Sequence, residues 1–243
     1  KITKEILYDI HKTFYQPSNM VLVISGNFDC DEALQVIKNN QALKEAVTNE
    51  KIVEEKVKEP LEVATSKKEI EFNVVNTKVA YGIKIPLKNV KDRYLFNLYL
   101  GLMNNIVFGL SSKFRERMKQ LKLMTSFYLE REIIGDYLIL TYIADSKEPE
   151  KFVQEIKKEL AHMDIQEEEV ERLKKVWISS EVVMVDNIVM TLENMVYDII
   201  TYGDIIPNKI DIFRSLTKEE LDKTLKSIDF SNTSTVIVRP KKA

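Results

Sequence analysis

The sequence predicts an α+β fold in which an antiparallel sheet is backed by helices. Three observations support this class. Strand-length apolar runs occur in groups, separated by stretches with helical spacing, rather than alternating singly with helices. Two of the predicted strands flank a Gly-Asp hairpin turn. The chain has 243 residues and is 44% hydrophobic, which is enough to build a sizeable core.

Composition limits the possible partners. Charged residues make up 30% of the chain, but the formal net charge is only −2, so no field of one sign points to nucleic acid or to an anionic membrane. No apolar run approaches the ~18 residues of a membrane helix. Cys30 is the single cysteine, which excludes an internal disulfide and fits a reducing compartment. We therefore expect a cytoplasmic protein.

The first predicted elements are a helix, a strand and a second helix. Thr3 is a good N-cap for the first helix, whose apolar side chains fall at i, i+3 and i+7, and Pro17 ends it. The apolar run MVLVIS at residues 20–25 predicts a buried strand. Asp29 caps the second helix, and Glu32 three residues later completes a capping box. This block ends near Leu43.

A charged connection and a longer α+β block follow. Residues 44–68 are rich in charge and contain Pro60, which predicts a linker. The later predicted strands are residues 69–75, 79–85, 124–133, 137–144 and 235–238, with turns at Asn76-Thr77 and at Gly135-Asp136. The predicted helices are 92–108, 113–122, 148–163, a run over 167–202 that is long enough to be two helices with a kink, and a helix capped by Thr217.

The two ends of the chain share a pattern. A shift of 214 positions places Leu7 on Leu221 without a gap, and the capped helix and apolar strand of residues 2–26 fall on those of residues 216–240. The identities are few, so a chance match of two ordinary helix–strand units is the alternative. If the second copy closes a domain, the first copy closes an earlier one. The expected domains are the end of a first domain at 1–43, a linker at 44–68 and a second domain at 69–243.

Several kinds of active site are excluded. His11 and His162 are the only histidines, so neither an H-x-x-E-H nor an H-E-x-x-H zinc motif exists in this chain. We expect both to be solvated or satisfied structurally. Cys30 has no histidine near it in sequence to act as a base, and no glycine-rich phosphate-binding motif occurs. We predict no metal ligand and no catalytic residue in the chain.

One basic cluster has two interpretations. It comprises Lys113, Arg115, Arg117, Lys119 and Lys122. A solvated helix face is the simpler interpretation. The alternative is a surface that meets a peptide carboxylate or an acidic neighbour.

Two phrases resemble the pitrilysin/insulinase family of zinc metallopeptidases, the inverzincins. The first is FYQPSNMVLVISGNFD, which is similar to the end of the family's first domain. The second is FGLSSKFRERMKQLKLMTSFYLEREIIGDYLILTYIADSKEPEKF, which looks like the helix, hairpin and next helix of the second domain. The QEEEVERLKKVW helix matches the element that follows. The order and spacing of these phrases carry the resemblance over essentially the whole chain.

The resemblance implies homologous α+β domains, with zinc bound in a first domain whose motif is absent here. Many members also have an Arg and, seven residues later, a Tyr in the second domain, which hold substrate and stabilise the oxyanion. At the matching phrase this chain has Lys119 and Ser126. Lysine lacks the fork of arginine and serine cannot reach as tyrosine does, so these residues, with Tyr128, are expected to be weak substrate contacts at most.

These observations lead to two functional hypotheses. The first is the C-terminal, non-zinc-binding half of a zinc metallopeptidase or processing peptidase of bacterial type, which forms part of the substrate chamber and is inactive alone. The alternative is a non-catalytic structural or partner subunit of the same fold; an unrelated α+β binding module is a third reading. Implied partners are an N-terminal half that carries the zinc, a peptide substrate, and a homologous subunit in a homodimer or heterodimer.

Overall fold

The computed structural model describes residues 2–43 and 58–241. The chain divides into two compact units. The first comprises Lys1–Lys58 and Val183–Ile206, and the second comprises Glu59–Val182 and Pro207–Ala243. Residues 44–57, most of the predicted linker, lie outside the described residues. The predicted domain boundaries therefore stay a prediction.

The elements follow in chain order. The helices are α1 (Lys4–Phe14), a 3-10 turn (Pro17–Asn19), α2 (Cys30–Ala42), α3 (Arg93–Phe108), α4 (Lys113–Gln120), α5 (Pro149–Ala161), α6 (Glu167–Val185), α7 (Ile188–Tyr202), α8 (Lys209–Ser215) and α9 (Lys218–Lys226). The strands are β1 (Lys67–Phe72), β2 (Lys78–Pro86), β3 (Ser126–Ile134), β4 (Tyr137–Asp145) and β5 (Thr233–Pro240).

In the first unit the predicted caps are confirmed and the predicted strand is not. The hydroxyl of Thr3 accepts a hydrogen bond from Ile6 N at 3.4 Å, and the carboxylate of Asp29 accepts one from Glu32 N at 2.9 Å. Residues 20–25 are irregular and mostly exposed, so the prediction of a buried strand is wrong. An apolar run becomes a strand only beside another strand, and none pairs with it among the described residues.

The long helical run breaks where two helices meet. The break lies at residues 186–187, and Asn187 caps α7 by accepting a hydrogen bond from Met190 N at 3.1 Å. The prediction of two helices within residues 167–202 is confirmed. Helix α8 was not predicted.

The second unit holds a five-stranded sheet in the order β1-β5-β2-β4-β3. Strand β1 runs parallel to β5, and every other neighbouring pair is antiparallel. The hairpin expected at Asn76-Thr77 is wrong because β5 lies between β1 and β2. The hairpin at Gly135-Asp136 is confirmed, and Gly135 has the left-handed φ of 57° that such a turn favours.

The core lies on one face of this sheet. Alternate residues of β2 and β4 are buried, and register places Tyr81 opposite Tyr142 and Ile83 opposite Leu140. Helices α3, α4, α5 and α9 supply further buried side chains, among them Leu100, Phe114, Phe152 and Leu221. The predicted α+β class, an antiparallel sheet backed by helices, is confirmed except for the single parallel pair.

Candidate functional site

The candidate site is the face of the sheet opposite the core, which we call the open face. Its side chains are those that alternate with the buried ones, and they are partly exposed or exposed apart from Lys84, which is 8% exposed. They are Lys78, Ala80, Gly82 and Lys84 of β2; Tyr137, Ile139, Thr141, Ile143 and Asp145 of β4; Ser234, Val236 and Val238 of β5; and Ser126, Tyr128, Glu130, Glu132 and Ile134 of β3. Most of these side chains are accessible to a ligand.

One end of the open face carries a polar cluster built across three strands. Lys78 Nζ donates to Asp145 Oδ1 at 2.8 Å, and the backbone N–H of Asp145 donates to Ser126 Oγ at 3.2 Å. The hydrogen bond to Asp145 raises the pKa of Lys78, and Tyr128 adds a smaller electrostatic contribution. Because Lys78 is paired, its charge is balanced within the sheet.

The other end of the open face holds the start of the second unit. Lys84 Nζ donates to Glu59 Oε1 and to the carbonyl of Pro60, both at 2.6 Å, and it lies 4.3 Å from the centre of the Tyr137 ring. The Tyr137 hydroxyl donates to the carbonyl of Glu59 at 3.0 Å. These contacts fix residues 59–60 against the strands and give the nearly buried Lys84 its partners.

Two carboxylates on β3 lie on the open face between these ends. Glu130 and Glu132 are exposed, and the carboxylate of neither makes a hydrogen bond or an ion pair with another residue that the structure describes. The other carboxylates of the β3–β4 hairpin are paired: Asp145 with Lys78 and Asp136 with Arg93, each at 2.8 Å. The uncompensated charge of the hairpin is therefore negative.

The three residues predicted as weak substrate contacts fall in two places. Ser126 and Tyr128 are two positions apart on β3, so they share the open face, and Tyr128 is 48% exposed. Lys119 is exposed on α4, and within the described part of the chain no hydrogen bond or ion pair joins it to either residue. Their role as substrate contacts stays a prediction. Sequence reasoning missed Lys78, Asp145, Glu130 and Glu132; the two-residue alternation of β3 could have found the glutamates.

The basic cluster on α4 is neither wholly solvated nor one surface. Arg117 forms ion pairs with Glu155, at 3.3 Å, and with Glu159 of α5, and the hydrogen bond to Glu159 raises the pKa of Arg117. Arg115 Nε donates to the carbonyl of Phe108 at 3.0 Å, and burial lowers the pKa of its guanidinium. Both arginines therefore stabilise contacts within the second unit. The lysines of the cluster remain exposed.

The described residues do not form a zinc site. Over residues 2–43 and 58–241, no three His, Cys, Asp or Glu side chains are grouped so that they could hold a metal ion. His11 stacks on Tyr15 with ring centres 4.8 Å apart, and His162 Nδ1 lies 3.1 Å from the carbonyl of Lys158. The exposed thiol of Cys30 is in the first turn of α2.

Among the described helices, none combines the length and the apolar character that a membrane span requires.

A cleft on the helical side of the sheet is a less suitable site for a peptide. Its volume is about 430 Å³, and it is lined by Tyr81, Leu160, Phe230 and neighbouring residues. Lys157 Nζ lies at its edge, 5.6 Å from the centre of the Tyr81 ring. The cleft holds only about 430 Å³, whereas the open face runs the length of the strands. An extended ligand therefore fits the open face better.

Comparison with known proteins matches the chain to a protein family. Residues 1–176 match the model of the peptidase M16 inactive domain. The chain is 37% identical over 113 residues to the uncharacterized zinc protease YmfH of Bacillus subtilis (strain 168), which covers 46% of this chain and 26% of YmfH.

Solved structures agree on the fold. The chain superposes with a TM-score of 0.80 and 24% identity on an M16-like peptidase from Alicyclobacillus acidocaldarius, covering 99% of this chain and 59% of that one. A protease from Helicobacter pylori gives a TM-score of 0.84 at 16% identity, with coverage of 99% and 59%. The chain thus spans less than two thirds of each of these proteins, 59% of the two structures and 26% of YmfH.

Proposed function

The chain belongs to the peptidase M16 inactive domain family, and we propose that it is the C-terminal, non-zinc-binding half of a zinc metallopeptidase or processing peptidase. In this role it forms part of the substrate chamber and is inactive alone. The observation that carries the proposal is the open face, an accessible sheet surface without a metal-ligand group among the described residues, in a chain that matches the inactive domain over 1–176. Binding and positioning of peptide is the chemistry such a surface offers.

The proposed partner is an N-terminal half of the same parent protein, which holds the zinc. Zinc bound there would supply Lewis-acid activation of water. The residues of this chain would hold the peptide: Ser126 and Tyr128 offer hydroxyl groups on the open face, and Lys119 offers a cation on α4. We include these three as weak contacts, and we place the protein in the cytoplasm because its single cysteine suits a reducing compartment.

Residues 1–43 have their own place in this proposal. We assign them to the end of the preceding domain, residues 44–68 to a linker and residues 69–243 to the second domain. The support is the repeated helix–strand pattern and the exposure of apolar side chains that its second copy buries: Leu7 is 57% exposed, whereas Leu221 is 0% exposed. Strands of the preceding half would pair with residues 20–25.

The test is metal content and peptidase activity of the parent protein and of this chain. We expect one zinc per parent chain, hydrolysis of unstructured peptides that a chelator abolishes, and neither property in the 243-residue chain alone. A coding sequence without H-x-x-E-H upstream of Lys1 would contradict the peptidase assignment.

The second candidate function is a structural or partner-binding subunit without catalysis. The observation that favours it is the pair Lys119 and Ser126, where many family members have Arg and Tyr. This candidate predicts a parent protein that binds no zinc yet forms a complex with a homologous subunit. Stoichiometric zinc in the purified parent would remove it.

A further inference from the structure

The cleft on the helical side of the sheet lies within the second unit, and the proposed function does not use it. Helix α5 contributes Lys157, Leu160 and Ala161 to its lining, the loop between α9 and β5 contributes Phe230, and β2 contributes Tyr81. Its volume of about 430 Å³ falls within the range of sites that hold small organic molecules. The cleft is therefore large enough for a small ligand.

The apolar part of the lining is held in place by the core. Tyr81 is 2% exposed and Leu160 is 7% exposed, and both belong to the hydrophobic core of the unit. Phe230 is partly buried and packs against that core. Because close packing restricts these side chains, the cleft is preformed, and an apolar ligand can be buried in it without a folding step.

The hydroxyl groups of the cleft are already engaged within the protein. Burial raises the pKa of the Tyr81 hydroxyl, and a hydrogen bond with the side chain of Thr233 opposes that rise. Ser231 binds the neighbouring carboxylate: hydrogen bonds from its side chain and its backbone N–H lower the pKa of Asp229, and the N–H lies 2.8 Å from Asp229 Oδ1. A ligand therefore does not have to satisfy these groups.

Lys157 is the polar group of the lining whose donors remain available. Its Nζ lies 5.6 Å from the centre of the Tyr81 ring, within the range of a cation–π contact. In the described part of the chain its ammonium makes no hydrogen bond or ion pair, because Glu155 and Glu159 of the same helix bind Arg117 instead. One uncompensated positive charge with three N–H donors therefore lies at the edge of an apolar cleft.

We propose that this cleft binds a small monocarboxylate with an apolar body. The carboxylate accepts hydrogen bonds from Lys157, and the apolar body packs against Leu160, Phe230 and the ring of Tyr81. One ammonium balances one negative charge, so a monocarboxylate fits better than a phosphate ester, which carries nearly two charges at neutral pH. The cleft is on the side of the sheet away from the open face, so this site goes beyond the proposed function and does not depend on it.

Methyl NMR of the 243-residue chain can detect binding at a defined place. The probe is octanoate, titrated below its micellar concentration. Octanamide has a similar apolar chain without the charge, and octylammonium has the opposite charge. We expect octanoate to shift the methyl signals of Leu160 and Ala161 and to leave Leu7, which is 57% exposed in the first unit, unchanged. Octanamide should bind about two- to fivefold more weakly, and octylammonium more weakly still.

Two variants separate the charge from the cavity. Lys157→Gln should weaken octanoate binding about two- to fivefold, as expected for an ion pair that is open to solvent, and should leave octanamide binding unchanged. Ala161→Phe adds a ring at an exposed position of the lining and should abolish binding of both. The matched control is Lys158→Gln, the next lysine of α5, which is exposed and outside the lining and should leave the octanoate affinity unchanged.

Three results would overturn the proposal. The first is an octanoate titration in which the Leu160 and Ala161 signals do not move, or move no more than that of Leu7. The second is equal affinity for octanoate and octanamide. The third is an equal effect of Lys157→Gln and Lys158→Gln. None of these measurements involves the zinc content or the peptidase activity of the parent protein, so failure of this site and failure of the proposed function are distinguishable.

Discussion

The helix–strand segment at residues 216–240 and the matching segment at residues 2–26 reach different structures. In the first, α9 leads into β5, which lies between β1 and β2, and Leu221 and Ile237 are 0% exposed. In the second, α1 leads into an irregular stretch, no residue of α1 is buried, and Leu7 at the position of Leu221 is 57% exposed. The local pattern is the same and the burial is opposite.

The comparison separates structure that nearby residues encode from structure that depends on distant parts of the chain. Both helices form with the same cap: Thr3 accepts from Ile6 N at 3.4 Å, and Thr217 accepts from Glu220 N at 3.3 Å. Only the segment with neighbouring strands becomes a strand. A capped helix is therefore encoded within about ten residues, whereas a strand requires a partner whose position depends on the rest of the fold.

Truncation of Leu221 and of Leu7, which the shift of 214 positions aligns, should give the largest difference in stability. Leu221→Ala leaves a cavity in the core of the second unit, and we expect it to lower the free energy of unfolding by about 2–5 kcal/mol. Leu7→Ala should change it by no more than about 0.5 kcal/mol, because the side chain is already in solvent. Urea denaturation followed by circular dichroism measures both. Equal losses would show that α1 is packed in the isolated chain.

Removal of the two caps should give a smaller contrast. Thr217→Ala should cost about 1 kcal/mol of global stability, because α9 packs into the core and cannot fray without unfolding the unit. Thr3→Ala should accelerate amide exchange within α1 and leave the free energy of global unfolding nearly unchanged, since α1 opens locally. The same denaturation curves, with exchange of α1 amides, test this. A global loss for Thr3→Ala would contradict the comparison.

A charge difference between the helices gives the smallest effect. Hydrogen bonds to Glu220 and, to a smaller extent, to Glu219 raise the pKa of Lys223 to about 12, whereas the matching position in α1 is Asp9. Because the pKa is higher in the folded state, the stabilisation is full below the ordinary lysine pKa and is lost as pH rises toward 12.

Lys223→Met tests this pH dependence. The difference in stability between wild type and this variant should shrink between pH 9 and pH 11.5. Lys226→Met, at the end of the same helix, is the control and should show no such convergence. A constant difference for Lys223→Met would show that its ion pairs do not form in solution.

Much of the fold follows from local signals, and the open face does not. Asp29, Thr217 and the Gly135-Asp136 turn mark their elements in the sequence, and the structure confirms all three. The insertion of β5 between β1 and β2 joins residues about 170 positions apart, so no local pattern reports it.

The residues of the open face likewise divide into those that local sequence patterns indicate and those that only strand pairing brings together. Lys78 and Asp145 pair across β2 and β4 because of register alone. Ser126 and Tyr128 were found through a resemblance, and the two-residue alternation of β3 places Glu130 and Glu132 on the same face. That β3 is an edge strand follows only from the pairing order. Site residues contributed by several strands depend on the pairing order, which sequence reasoning got wrong at β1 and β2.

The most direct test of the account is hydrogen exchange at residues 20–25, measured in the 243-residue chain alone and in the parent protein with its zinc-bearing half. We predict unprotected amides in the chain alone and strong protection in the parent, with residues 235–238 protected in both. If residues 20–25 exchange equally in the two samples, they are not a strand completed by the preceding half, and the assignment of this chain as half of a larger peptidase loses its structural basis.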